Sequence, residues 1–121
     1  MQEQYLELYN DFIKNYNRSE ITPSQVGEVL VKIAGFFPNI NMTKIAAEKA
    51  YARVCKEEIL KSDDMTGKAV SATKATTLSE ASQESFDFKT AKGHCENIEM
   101  FIGVLKFLQK SLETEYLNSN I

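Results

Sequence analysis

The stretch that decides the fold is "AKGHCENIEMFIGVLKFLQKSLETEY", residues 91–116. Apolar side chains recur in it at alternating steps of four and three residues, a heptad pattern that indicates one long helix with one apolar face. Its positions are Ala91, Cys95, Ile98, Ile102, Leu105, Gln109, Leu112 and Tyr116. Phe101 and Leu108 widen this face beyond the contact line of a two-stranded coiled coil. The pattern predicts a coiled-coil-like helix over residues 85–118 that packs against more than one other helix.

A helix of this length needs a long packing surface. At about 1.5 Å per residue it extends roughly 45 Å, whereas a domain of this size has a radius of gyration of about 13–14 Å. We therefore expect another protein or a second copy of the chain, related by a two-fold axis, to cover part of the face. The polar Gln109 is where a register-setting contact is expected. The residues predicted to form this interface are Ile98, Ile102, Leu105, Gln109 and Leu112.

The beginning of the chain predicts two helices. In residues 3–16, aromatic side chains recur on one helical face at Tyr5, Tyr9, Phe12 and Tyr16. The sequence "ITPSQV", residues 21–26, has the pattern of a capping box and a hydrophobic staple, with Thr22 as the N-cap and Pro23 as the first helical residue. This second helix is expected to end near residues 35–37, because Pro38 disfavours helical backbone in the residue before it.

A third helix is predicted from Met42 to about Leu60. Asn41 has the side chain of an N-cap, and Ile40 and Ile45 stand at the positions of a hydrophobic staple. The residues predicted to face the core are Ile45, Ala46, Ala50, Val54 and Ile59, with Ala47, Tyr51 and Cys55 beside them.

Residues 62–84 are predicted to form a polar loop and a short helix. Serine and threonine are abundant there, but apolar residues still recur about every three positions at Ala72, Ala75, Leu78 and Ala81. Ser71 is placed to cap a helix that ends near Ala81. The alternative for this segment is a disordered polar linker.

Composition places the chain among ordinary globular proteins. It has 121 residues, 43% of them hydrophobic and 26% charged, which predicts a single domain over residues 1–121. The formal net charge is −3, which argues against a dedicated duplex-DNA binder. A signal peptide, a membrane-spanning run and a disulfide framework are not indicated, so a cytoplasmic protein is expected. The fold class predicted is all-α, a helical bundle of four to five helices with a long last helix.

Two pairs of neighbouring residues invite a chemical interpretation. His94 and Cys95 are adjacent, but neighbours on a helix point about 100° apart, which is poor geometry for one metal ion or for a catalytic pair. The sequence "TGK", residues 66–68, lacks the preceding glycine and the following Ser or Thr of a phosphate-binding loop. We therefore predict no catalytic, metal or cofactor site, and no enzymatic activity.

Lys49, Arg53 and Lys56 recur at helical spacing and form one basic stripe. Such a stripe is where a phosphate group of a nucleotide or a nucleic acid would bind. The alternative interpretation is a solvated face whose charges pair along the helix.

Residues 63–116 resemble the C-terminal half of small helical accessory proteins of phages and prophages, which are encoded near recombination or anti-defence genes. The likeness consists of the "TGK" turn, a helix of small residues and the "NIE" to "QK" part of the last helix, residues 97–110. It implies an accessory factor of the host cytoplasm and assigns no site residues.

These patterns favour a non-enzymatic helical protein that acts as an inhibitor or adaptor through protein–protein contacts and forms a homo-oligomer. An acidic surface is suited to a basic groove on a partner. Two alternatives are a nucleic-acid or nucleotide binder that uses the basic stripe and a component of virion assembly.

Overall fold

The computed structural model describes residues 3–16, 20–61, 67 and 71–119. Within these residues the chain is all-α: it forms five helices and no strand, which confirms the predicted class and the long last helix. The predicted polar loop over residues 62–70 lies, apart from Gly67, outside the described residues. The helices are α1 (Gln4–Lys14), α2 (Pro23–Ala34), α3 (Phe37–Leu60), α4 (Ala72–Glu80) and α5 (Gln83–Ser119).

The chain divides into two compact units. The first comprises Met1–Ile40 and His94–Ile121, and the second comprises Asn41–Gly93. Both boundaries lie within helices, one in α3 and one in α5. Neither a linker nor a change of composition marks such positions, which is why the sequence predicts one domain.

The first unit builds its core on the apolar face of α5. Ile98 and Leu105 have no solvent-exposed surface, and Tyr5 of α1 and Val26 of α2 belong to the same cluster of buried side chains. Burial of each large apolar side chain contributes about 1.5–3 kcal/mol to folding. From Cys95 onward, the heptad face predicted from the sequence is thus largely the face that this unit buries. The cluster consists of Tyr5, Val26, Ile33, Ile40, Cys95, Ile98, Phe101, Leu105 and Leu112.

The predicted capping box forms at the start of α2. The Thr22 Oγ1 accepts a hydrogen bond from the Gln25 backbone N–H at 3.2 Å, and the Gln25 Oε1 accepts one from the Thr22 backbone N–H at 2.9 Å. Ile21 packs against the core cluster and Val26 is part of it. The cap therefore satisfies otherwise unpaired backbone donors and fixes where the chain enters the first unit.

Thr22→Ala is expected to lower the free energy of unfolding by about 1 kcal/mol, because it removes the acceptor for the Gln25 N–H. Urea unfolding followed by circular dichroism measures the change. Thr22→Ser, which keeps the hydroxyl, is the matched control and should unfold close to wild type. Equal losses in the two variants would contradict the capping role.

α3 begins earlier than the sequence predicts. Its first residue is Phe37, so Asn41 lies inside the helix and the prediction that it caps the helix is wrong. Pro38 fits the first turn because backbone N–H groups there have no acceptor within the helix. Ile45 is 42% exposed whereas Ile40 is buried, so the predicted staple is also wrong. The predicted end at Leu60 is confirmed.

The half-buried face of α3 within the second unit differs from the predicted one. Ile45, Ala46 and Ile59 are exposed, whereas Ala50 and Val54 of the predicted set are half-buried. The observed face follows helical spacing and consists of Ala47, Ala50, Tyr51, Val54, Cys55 and Glu58. Four of these positions carry small side chains or a carboxylate, so a hydrophobicity pattern gives them less weight than the exposed isoleucines.

The polar segment before α5 is helical, as predicted, and is not a linker. The Ser71 Oγ accepts a hydrogen bond from the Lys74 backbone N–H at 3.2 Å, the predicted N-cap of α4. The buried face of α4 is Ala75 and Ser79, and the Ser79 hydroxyl donates to the Ala75 carbonyl at 2.8 Å. Ser82 then accepts from the Ser85 N–H at 3.2 Å at the start of α5, so serines end one helix and begin the next.

Candidate protein-binding face

The structure changes the role of most residues predicted to form an interface. Ile98, Leu105 and Leu112 are buried by the chain's own α1 and α2 side chains in the core of the first unit. Their prediction as a partner interface is therefore wrong for this conformation, because buried side chains offer no surface to another molecule. Ile102 packs against the same core and is partly exposed; its place in an interface stays a prediction, as does that of Gln109.

Gln109 makes a contact between α5 and α2 within the first unit. Its Nε2 donates to the Pro23 carbonyl at 3.2 Å. The contact requires a glycine opposite, since a Cβ at Gly27 would lie 2.7 Å from the Gln109 Nε2. The polar residue of the heptad thus makes its contact within the chain. It borders an open hollow of about 570 Å³ lined by Ser24, Gly27, Glu28, Val31, Lys32 and Gln109.

Gly27→Ala is expected to leave the free energy of unfolding nearly unchanged. Alanine favours the helix by about 1 kcal/mol, but its methyl group displaces the Gln109 amide, and the lost hydrogen bond costs about as much. In a Gln109→Ala background the same change should stabilise by about 1 kcal/mol. Gly93→Ala, which meets no atom within 4 Å, is the control. Equal effects in both backgrounds, measured by urea unfolding, would contradict the coupling.

A second apolar line runs along the exposed side of α5. Met100, Val104 and Phe107 are 57%, 42% and 77% exposed, and their steps of four and three residues place them on one face. We call these three residues the α5 stripe. Phe107 also borders a hollow of about 340 Å³ formed with residues further along the same helix. A row of exposed apolar side chains that includes an aromatic ring is a feature of protein-binding surfaces.

The sequence carries only a short signal for the α5 stripe. Its three residues have the same steps of four and three as the core face, but the positions that would continue them, Asn97, Ser111 and Thr114, are polar. The longer heptad pattern therefore dominates the sequence of this helix.

His94 belongs to a small polar cluster around Tyr5. The Tyr5 hydroxyl lies 2.6 Å from the His94 Nδ1, and Asn97 donates to the same hydroxyl at 3.4 Å. A hydroxyl can both donate and accept, so it satisfies Asn97 and the imidazole at once, with its role toward the Nδ1 set by the imidazole tautomer. The neighbouring Cys95 is buried in the core. His94 therefore satisfies a buried hydroxyl, and Cys95 fills the core.

Burial raises the pKa of the Tyr5 hydroxyl above its ordinary value of 10.0; the hydrogen bond from Asn97 lowers it in part, and the charge of the nearby Cys95 raises it. The unfolded chain then loses this proton at lower pH than the folded chain. The contribution of the Tyr5 hydroxyl to the free energy of unfolding is fully present below about pH 10 and is lost as the pH rises through the pKa of the folded state.

Wild type is therefore expected to lose stability more steeply than Tyr5→Phe as the pH rises above about 10. Urea midpoints measured from pH 8 to 11 test this, because the two proteins differ only in the Tyr5 hydroxyl. Parallel pH profiles would contradict the effect.

The predicted basic stripe is exposed on α3 in the second unit. Lys49, Arg53 and Lys56 are all exposed, and none of them forms an ion pair with any residue that the structure describes. The structure brings the three cations together on one helical face.

Comparison of the chain with protein-family models, with curated proteins and with solved structures gives no match. In the described part of the chain, none of the helices combines the length and apolar character that crossing a bilayer requires. Among the same residues, no group of three or more His, Cys, Asp or Glu side chains could hold a metal ion.

Proposed function

We propose that this protein is a non-enzymatic helical binding protein that acts through protein–protein contacts, with the α5 stripe as its binding face. The observation that carries the proposal is the exposure of Met100, Val104 and Phe107 on one face of one helix. Aromatic and methionine side chains are enriched in protein interfaces and supply much of their binding energy. Leaving them in water forgoes the stabilisation that burial would give.

The opposite side of the helix that carries the stripe is packed in the core of the first unit. Phe101 and Leu105, which alternate with stripe residues along α5, are buried in the core of the first unit. Tyr9 stacks on Phe101 with ring centroids 3.8 Å apart and planes 3° apart. A face fixed in this way loses little conformational entropy when a partner binds.

We further propose, from the resemblance of residues 63–116 to phage and prophage accessory proteins alone, an inhibitor or adaptor that works in the host cytoplasm. In a role in virion assembly, the same face would bind a structural protein of the virion. The identity of the bound partner therefore distinguishes this role from that of an inhibitor or adaptor.

Substitution at the stripe tests the proposed function. Phe107→Glu places a charge at the most exposed position of the apolar face and should abolish the binding of proteins that wild type captures from host extract. Lys106→Glu, at the adjacent exposed position, is the matched control and should keep them. The proposal fails if Phe107→Glu captures the same proteins as wild type while its circular dichroism is unchanged.

A second candidate function rests on the basic stripe. Lys49, Arg53 and Lys56 are exposed cations on one helical face, the arrangement that binds phosphates and gives salt-dependent affinity. Fluorescent oligonucleotides should then bind at low salt, and changing all three residues to Glu should remove the binding. Absence of binding by wild type at low salt would exclude this function.

A further inference from the structure

We propose that the partner of the α5 stripe is a second copy of this chain, docked antiparallel across a two-fold axis that passes near Gly103. The inference rests on the proposed function, since it names the occupant of the same face. It is carried by the charges at the two ends of the stripe, by the open space at Gly103 and by the order of the apolar side chains.

Two of the three apolar side chains of the stripe, Met100 and Val104, meet each other when two copies pair in antiparallel order. In antiparallel pairing of two helices, a residue early in one stripe meets a residue late in the other. Met100 of one copy then packs against Val104 of the second copy, and the two-fold axis repeats the contact. In the same register, Phe107 at each end packs over Asn97 of the second copy. All three apolar side chains become covered.

The charged side chains select this orientation. Glu96 and Lys110 lie on one edge of the stripe, seven residues before and seven residues after Gly103. Antiparallel pairing about Gly103 therefore brings Glu96 of each copy opposite Lys110 of the other, which gives two ion pairs. Both side chains are exposed in the single chain, so the interaction does not require burying an existing charge.

Gly103 provides the space for close approach at the axis. It is exposed, and a Cβ built there would meet no atom within 4 Å. Two glycines facing each other across the axis allow the two backbones to approach and the larger side chains on either side to interlock. A glycine inside a helix costs about 1 kcal/mol relative to alanine, and the contact between copies would offset this.

Parallel pairing of the two copies is less suitable. It would place Glu96 opposite Phe101, an apolar residue that belongs to the core of the first unit. It would also place Lys110 opposite Glu115, which already has an interaction partner in its own chain. The two orientations therefore predict different charge pairs, and substitutions can separate them.

The mass of the full chain in solution tests self-association. Sedimentation equilibrium at tens of micromolar should give twice the chain mass of 13.7 kDa, and Phe107→Glu should give the monomer mass. A wild-type monomer at 100 μM would overturn the inference, and so would a dimer that Phe107→Glu leaves intact. If a monomeric wild type still captures host proteins in a Phe107-dependent way, the proposed function stands without self-pairing. If Phe107→Glu changes neither readout, both fail.

Charge reversal tests the orientation. Glu96→Lys alone and Lys110→Glu alone should each weaken the dimer about tenfold, because each puts like charges opposite each other twice. The double variant restores opposite charges and should return the dissociation constant to near the wild-type value. Glu113→Lys, which lies away from the stripe, is the control. If the double variant loses as much dimer affinity as the two single variants combined, the antiparallel arrangement is overturned.

Discussion

Leu105→Ala is expected to lower the free energy of unfolding by about 3 kcal/mol, within the range of 2–5 kcal/mol for such changes in well-packed cores. Leu105 has no exposed surface and sits in the middle of the core cluster of the first unit. The substitution removes buried apolar atoms and leaves a cavity that the neighbouring helices can fill only in part. A loss of this size is a large fraction of the 5–15 kcal/mol by which typical domains are stable.

The adjacent residue offers a matched control. Val104 lies next to Leu105 on the same helix but belongs to the α5 stripe and is 42% exposed. Val104→Ala should cost less than about 1 kcal/mol when the protein is monomeric, because its side chain is already largely in water. Urea unfolding of both variants at equal, low protein concentration makes the comparison. Similar losses at the two positions would show that α5 does not bury the face described.

Leu105 and Val104 also mark the limit of what the sequence predicts. Local patterns predict the all-α class, the α2 cap at Thr22 and the core face of α5, because capping and amphipathic spacing act within a few residues. Whether the face of α5 is covered from within or by another chain depends on where α1 and α2 pack. That is a tertiary property, which one sequence pattern does not contain.

The errors have local physical causes. The start of α3 was placed at Met42 because Asn41 has a capping side chain, but Pro38 is equally suited to a first turn and the helix begins before it. The half-buried face of α3 uses alanines, a cysteine and Tyr51, to which a hydrophobicity pattern gives less weight than to Ile45 and Ile59. Small side chains allow close packing, so size mattered there more than hydrophobicity.

The candidate site was less predictable than the core. Exposed apolar residues and buried ones obey the same helical spacing, so Phe107 could not be separated from Phe101 before α1 was placed. The hydrogen bond between Tyr5 and His94 joins residues 89 positions apart, and no local pattern connects them. That His94 and Cys95 face different surroundings, the Tyr5 hydroxyl and the core, did follow from their adjacency on a helix.

Tyr5→Ala is expected to cost about 3–5 kcal/mol, the range for removing a buried aromatic side chain. The Tyr5 ring has no exposed surface and lies 6.0 Å from the Phe101 ring, centroid to centroid. Its loss should release α1 from the first unit, because Tyr5 is the buried residue of that helix. Urea unfolding measures the total loss of stability. Hydrogen exchange should show that the α1 amides exchange faster than in wild type.

Tyr5→Phe separates the hydroxyl from the ring. It keeps the packing and should cost about 1 kcal/mol, since the His94 Nδ1 loses its hydrogen-bond partner. A double-mutant cycle with His94→Ala should give a coupling energy of about 1 kcal/mol between the two side chains. A coupling near zero would mean that the 2.6 Å contact contributes nothing to stability. If Tyr5→Ala costs no more than Tyr5→Phe, the ring is not what holds α1 against α5, and the packing assigned to this helix is wrong.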